Sequence, residues 1–181
     1  SSILLTASAG ENWDDLVKYT IDNNWWGVEN LSNIPGTVGA GPIQNIGAYG
    51  AEVKDVIEWV EVCNARTEKT ERLNRDACKF GYRDSIFKYQ EGKLFVVTRV
   101  AFRLAKKGTP NLEYKDLRER FKMYDLGFKD GDTQSQPSLS EIRNAVIEIR
   151  AKKFPDLRLF GTAGSFFKNP IISEAKFNEL K

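Results

Sequence analysis

The stretch from Ile34 to Gly50, I-P-G-T-V-G-A-G-P-I-Q-N-I-G-A-Y-G, sets five glycines and two prolines among apolar residues with neither a helical nor a strand period. No helix or strand interior tolerates that density of breakers, so the stretch is a shaped loop around which the rest of the chain is arranged. Glycines at 36, 39, 41, 47 and 50 admit positive φ and let a ligand approach the main chain, while Pro35 and Pro42 stiffen the path. Successive main-chain N–H groups in such a bend can form an anion-binding concavity. A phosphate or pyrophosphate is the functional reading; a tight structural loop is the bland one.

Two common nucleotide signatures are excluded. Gly39-Ala40-Gly41 begins like a dinucleotide fingerprint, but Gln44 stands where the third glycine belongs and Pro42 removes a donor where a helix should open. The chain has no Gly-Lys-Ser or Gly-Lys-Thr, which rules out a P-loop. Histidine is absent, removing the usual general base, the commonest metal ligand and every Ser-His or Cys-His pair. No metal is expected, and a cofactor is left to carry any difficult chemical step. A formal net charge of +2 makes no electrostatic case for nucleic acid, and no apolar run reaches membrane-spanning length. With no signal peptide, a cytoplasmic location is expected. Cys63 and Cys78 lie outside any CxxC pattern; reduced thiols are the reading, with an oxidised pair left open.

The flanking segments predict alternating element types. Residues 1–8 read as a strand that starts abruptly, as if cut from something longer. Ser8 and Glu11 give a capping-box signature before a helix with Trp13, Leu16, Val17, Thr20 and Ile21 on one face, closed by Gly27. Trp25 and Trp26 are read as packing residues. Val53 to Cys63 is a predicted strand, turning at Asn64–Thr67 into a partner near Thr70–Leu73, and Asn74-Arg75-Asp76 opens a helical turn. Over Leu94–Leu104, alternation puts Leu94, Val96, Val100, Phe102 and Leu104 on one face, with Phe95, Val97, Arg99, Ala101 and Arg103 on the other. Tyr114 to Met123 reads as a short helix and 127–137 as a mobile connection. Ser138 and Glu141 form a second capping box before a helix with Ile142, Ala145, Val146 and Ile149 as its apolar stripe, ended by Pro155. Arg150, Lys152 and Lys153 at its end complement the helix dipole or meet a phosphate. A last helix starts near Ser173, and this end too looks cut.

Phe80-Gly81-Tyr82-Arg83-Asp84-Ser85-Ile86-Phe87-Lys88 mixes aromatics with charge and has no clear period. Arg83 there is either one half of a surface ion pair or a guanidinium in a partly desolvated pocket, able to grip a carboxylate with two bonds. This stretch, the run Glu29-Asn30-Leu31-Ser32-Asn33-Ile34-Pro35-Gly36 through Gly50, and Ala163-Gly164-Ser165-Phe166-Phe167-Lys168-Asn169-Pro170 closely resemble the UDP-N-acetylenolpyruvoylglucosamine reductase family, also called UDP-N-acetylmuramate dehydrogenase. The three motifs occur in the family's order, and the resemblance spans the chain while covering only the middle of the family's length.

The resemblance implies an α+β fold: an FAD-binding lobe of the PCMH/vanillyl-alcohol-oxidase type, with a mostly antiparallel sheet and flanking helices. Residues 1–154 would be the second lobe of the FAD-binding domain and 155–181 the truncated beginning of a substrate-binding domain. It implies a flavoenzyme of peptidoglycan synthesis in which NADPH reduces FAD, and hydride then passes to the enolpyruvyl group of a UDP-sugar. By position, Ile34, Pro35, Gly36, Gly39, Ala40, Gly41, Gln44, Asn45, Ile46, Gly47 and Val97 match cofactor-binding residues. Arg83 matches the arginine that polarises the substrate carboxylate and Ser165 the serine that protonates the enolate carbon. Tyr82, Tyr114, Lys153 and Asn169 match substrate-binding positions. The family's N-terminal lobe, with a further glycine-rich loop, and its C-terminal glutamate have no counterpart in these 181 residues. The isolated chain is therefore expected to bind flavin poorly and not to turn over. Another FAD-dependent oxidoreductase of the same fold and a noncatalytic nucleotide-binding module are the alternative readings.

Overall fold

The computed structural model describes residues 1–125, 136–155, 159–161 and 167–180. Strand β1 (Ser2–Ser8) leads into helix α1 (Trp13–Asp22). A single-turn helix α2 (Ala40–Ile43) and two-residue strands β2 (Gly47–Ala48) and β3 (Ala51–Glu52) shape the glycine-rich stretch. Then come β4 (Ile57–Asn64), β5 (Thr70–Asn74) and β6 (Phe95–Ala105), followed by helices α3 (Lys115–Asp125), α4 (Leu139–Lys153) and α5 (Glu174–Glu179). The larger sheet has the order β1-β6-β4-β5 and is antiparallel at every pairing; β2 and β3 make a separate small ribbon. This is the α+β arrangement expected from the sequence.

Helix α1 covers one face of the sheet. Its stripe of Trp13, Leu16, Val17, Thr20 and Ile21 is buried, and Trp13 meets Phe102 of β6 edge-on at 5.9 Å while its indole N–H donates to Leu31 O at 2.9 Å. The helix starts later than its first capping signature suggests. Asn12 is the cap, its side chain accepting from Asp14 N at 2.8 Å and Asp15 N at 3.2 Å. Ser8 is still paired with Arg99 in the sheet, so no helix can begin there. The end differs as well: Asn23 caps the helix and Asn24 takes the left-handed conformation assigned to Gly27. Gly27 has a different task, lying where a Cβ would stand 2.8 Å from Val56 Cγ1. Trp25 and Trp26 pack against the core, and Trp26 exchanges main-chain bonds with Ala105.

Strand β6 departs from simple alternation for a local reason. Pairing with β4 passes from Glu61–Arg99 to Val62–Val97, which leaves Thr98 as an extra residue. One inserted residue reverses the parity of everything before it. Val100, Phe102 and Leu104 are buried as expected, but Phe95 and Val97 pack inward while Leu94 and Val96 are 37% and 57% exposed. In β4 the first predicted residues, 53–55, form a 3-10 turn, and the strand begins at Ile57. The turn Asn64–Thr67, the helical turn after Asn74 and the capping box of α4 are all present, the last with Glu141 N donating to Ser138 Oγ and Ser138 N to Glu141 Oε2. The expected mobile connection falls mostly outside the described residues, as does Asp156 of the predicted hinge.

A second, smaller core positions the site. Leu117 and Phe121 of α3 and Ala145 and Val146 of α4 pack around Tyr49, so both helices are set against the end of the glycine-rich stretch. Arg143 of α4 also reaches back to α1, donating to both oxygens of Asp14 at 2.6 and 2.7 Å. Asp14 in turn accepts from Asn33 N at 2.5 Å, next to the start of the loop.

Candidate active site

The glycine-rich loop is folded onto the strand and turn before it. The N–H groups of Val38 and Gly39 donate to Glu11 O and Ala9 O, both at 2.9 Å, and those of Ala40, Gly41 and Ile46 to Thr37 O, Val38 O and Gly41 O. The open row of amides suggested by the glycine spacing is therefore not formed by these residues. Gly39 is needed for this closure, since a Cβ there would lie 2.6 Å from Ala9 Cβ. The outer surface of the loop is instead Asn33, Pro35, Gly36, Thr37, Ala40 and Gln44, all exposed, with Gly36 at φ 120 and open space around it.

Beside that surface lies a cavity of about 830 Å3, within the range of organic-ligand pockets. Several parts of the chain converge on it. The loop and the β2 segment contribute Ile34, Gln44, Ile46, Gly47 and Ala48; the 81–88 segment contributes Tyr82, Arg83 and Lys88; the residue before α3, α4 and the segment after Gly161 contribute Tyr114, Arg150, Lys153 and Asn169, among others. The apolar wall of Ile34, Ile46 and Ala48 beside side-chain-free Gly47 suits a flat aromatic ring system. The other side is cationic: Arg83, Lys88, Arg150, Lys153 and Lys168 all face the cavity.

Arg83 sits at the tip of a tight turn in which Gly81 and Asp84 exchange main-chain hydrogen bonds at 3.0 and 3.2 Å. Its φ of 53 is left-handed, and its Nη2 donates to Gly47 O at 2.5 Å. The guanidinium thus lies across the loop at the cavity wall, 5.5 Å from the Tyr82 ring. Of its five N–H donors, that contact uses one. Lys153 is paired with Asp116, and that hydrogen bond raises its pKa despite some desolvation, so the ammonium is charged throughout the neutral range. Lys153 also stands 5.9 Å over Tyr114, and Tyr114 meets Tyr49 edge-on at 5.2 Å. Arg150 stacks 4.8 Å over Phe154, with a buried Nε that has no hydrogen-bond partner.

Of the residues nominated from sequence, Arg83, Tyr82, Tyr114, Lys153, Asn169, Ile34, Gln44, Ile46 and Gly47 meet at this cavity. Pro35, Gly36 and Ala40 are on the neighbouring exposed surface, while Gly39, Gly41 and Asn45 are buried behind the wall. Val97 packs against the core from β6. Ser165 lies outside the described residues. The side chains with no earlier reading are Ala48, Tyr49, Lys88, Phe154, Phe167 and Lys168. Arg150, read from sequence as a helix-end cation that caps the dipole or meets a phosphate, lines the cavity one turn before Lys153. Among the described residues, no group of three or more His, Cys, Asp or Glu is placed to hold a metal, and no helix is long and apolar enough to cross a membrane.

Residues 1–73 match the family described as "FAD binding domain". Over almost the whole chain the similarity is more particular, to UDP-N-acetylenolpyruvoylglucosamine reductases. That of Shewanella sediminis is 48% identical over 176 residues, 97% of this chain and 48% of that protein. That of Flavobacterium johnsoniae is 41% identical, covering 98% of this chain and 51% of that protein. The crystal structure of the enzyme from Thermus caldophilus has the same fold, with a TM-score of 0.51 at 21% identity over 81% of this chain and 68% of that one. The chain spans about half the length of the curated relatives it matches. The resemblance first carried by three motifs thus extends from end to end of the sequence.

Proposed function

We propose that this chain is the FAD-lobe portion of a UDP-N-acetylenolpyruvoylglucosamine reductase, which uses NADPH and FAD to reduce UDP-N-acetylglucosamine enolpyruvate to UDP-N-acetylmuramate in cytoplasmic peptidoglycan synthesis. The observation that carries this reading is the Arg83 guanidinium, held on Gly47 O at the junction of an apolar wall and a cationic one. FAD, when bound, supplies the hydride that it has received from NADPH. Ile34, Gln44, Ile46 and Gly47 hold the ring system; Pro35, Gly36 and Ala40 border it, and Gly39, Gly41, Asn45 and Val97 support that wall. Arg83 grips the substrate carboxylate as negative charge develops on it, a stabilisation that grows toward the transition state. The Ser165 hydroxyl gives its proton to the enolate carbon, completing addition of hydride and proton across the double bond. Tyr82, Tyr114, Lys153 and Asn169 hold the UDP moiety, with the ammonium of Lys153 on a phosphate. Residues 1–154 then form the cofactor lobe, and 155–181 open the substrate domain.

The test is NADPH consumption by the FAD-loaded whole enzyme of which this chain forms the lobe, with UDP-N-acetylglucosamine enolpyruvate as acceptor; the chain by itself is expected not to turn over. Arg83→Ala is expected to lower kcat by roughly two to three orders of magnitude, with flavin reduction by NADPH unaffected. Consumption of NADPH that ignores the UDP-sugar and yields peroxide would refute the assignment in favour of an oxidase of the same fold.

A further inference from the structure

We infer that Asn45 and Ser85 are positioning residues for Arg83, stapling its turn onto the glycine-rich loop. The inference rests on the reading of Arg83 given above and extends it to two side chains that reach no substrate. An arginine at φ 53 is in the left-handed region, which strains a Cβ-bearing residue, and such a conformation persists only where its surroundings over-determine it. Here two bonds cross from the loop to the turn. Asn45 Nδ2 donates to Gly81 O at 2.9 Å, and Ser85 Oγ donates to Ile43 O at 2.6 Å. Both residues are fully buried and their acceptors half-buried, so water competes little for these bonds.

Asn45 is itself left-handed, at φ 45, and its Oδ1 accepts from Lys54 N at 3.0 Å. Both ends of its amide therefore face protein groups, which makes it a strut between the loop, the turn and the segment leading to β4. Outside the turn, Lys88 Nζ donates to Arg83 O at 2.6 Å and Tyr89 OH to Asp84 Oδ2 at 2.7 Å. With the backbone fixed from both sides, the guanidinium is delivered to Gly47 O and the cavity wall without a search over turn conformations.

Amide hydrogen exchange in the chain, followed for Asn45→Gly, which retains the left-handed backbone, and for Ser85→Ala, tests the staple directly. Exchange at Gly81 and Asp84 is expected to quicken roughly tenfold, the effect of one lost buried bond, with that at Val60 and Val100 unchanged. In the FAD-loaded whole enzyme Ser85→Ala should slow hydride delivery to the enolpyruvyl substrate by about tenfold or more while NADPH reduces the flavin at the original rate, and Ser85→Thr, which keeps the hydroxyl, should restore delivery. Unaltered exchange at Gly81 and Asp84 overturns the proposal, as does an equal loss in both half-reactions. Should the unsubstituted whole enzyme be inert towards the UDP-sugar, the functional reading falls, and exchange at the two turn amides still decides the staple.

Discussion

Gly47 is a glycine because Arg83 lies on it. Its φ is unexceptional, but a Cβ would come within 2.9 Å of Arg83 Nη1 and 3.0 Å of both Ala51 O and Glu52 Cγ. Gly47→Ala is therefore expected to cost about 1–3 kcal/mol of stability through overpacking, to displace the guanidinium in a crystal structure and, on the proposed function, to lower kcat of the whole enzyme. Cys78 carries the opposite lesson, an inert residue. Burial pushes its thiol up to about 12, and Cys63 is only half-buried. A disulfide reagent at pH 8 should label Cys63 and leave Cys78 untouched until the chain unfolds; labelling both at equal rates in the native state would contradict this. Asp14 joins three segments. Burial raises its pKa, but the bonds from Arg143 and Asn33 outweigh that and hold the carboxyl below its ordinary value of 3.8. Because the folded value lies below the unfolded one, this contribution to stability is complete above 3.8 and fades as pH falls through the lower folded value. Asp14→Asn should thus cost about 1–3 kcal/mol at pH 7, and urea unfolding should show the gap to the parent narrowing in acid. Arg83 was legible as a residue from its motif, but neither its left-handed backbone nor its seat on Gly47 has a local signal, since the partner is 36 positions away.

At the scale of elements, local chemistry was most readable where nothing competed with it. The box of Ser138 and Glu141 opens α4 as its spacing suggests, and Pro155 is preceded by Phe154 in extended backbone, as a residue before proline must be. Ser8 and Glu11 offer the same signature, but β1 holds Ser8 in the sheet and hands the capping role to Asn12. Asn12→Ala should cost about 1 kcal/mol in thermal or urea unfolding, and Ser8→Ala no more than a few tenths. Equal effects would mean that Ser8 also caps α1. The bulge at Thr98 is the other tertiary decision. Thr98 Oγ1 donates to Glu61 Oε1 at 3.0 Å, but nothing in the run Leu94–Leu104 announces an extra residue. Bulges depend on the register of the neighbouring strand, which a single segment does not contain.

For the whole molecule, the decisive feature is how little of the charge distribution the total conveys. A net charge of +2 conceals five cations around one cavity. They come from the 81–88 turn, α4 and the segment after Gly161, and packing of α3 and α4 against Tyr49 sets the α4 pair at the cavity. On the function proposed here, Arg150→Ala in the whole enzyme should raise KM for the UDP-sugar about tenfold, consistent with loss of a charge-assisted contact, while leaving NADPH-driven flavin reduction unchanged; an unchanged KM would remove Arg150 from the binding wall. Local sequence sufficed for the glycine-rich loop, both main helices, the strands and the motifs that mark Arg83, because propensity, capping and turn chemistry act over a few residues. The convergence on the cavity, the helix start at Asn12, the parity of β6 and the clamp of Asn45 on Gly81 were settled by tertiary structure. Each of these rests on a hydrogen bond, strand pairing or core contact between residues far apart in the chain, and such a partner leaves no trace in the local pattern.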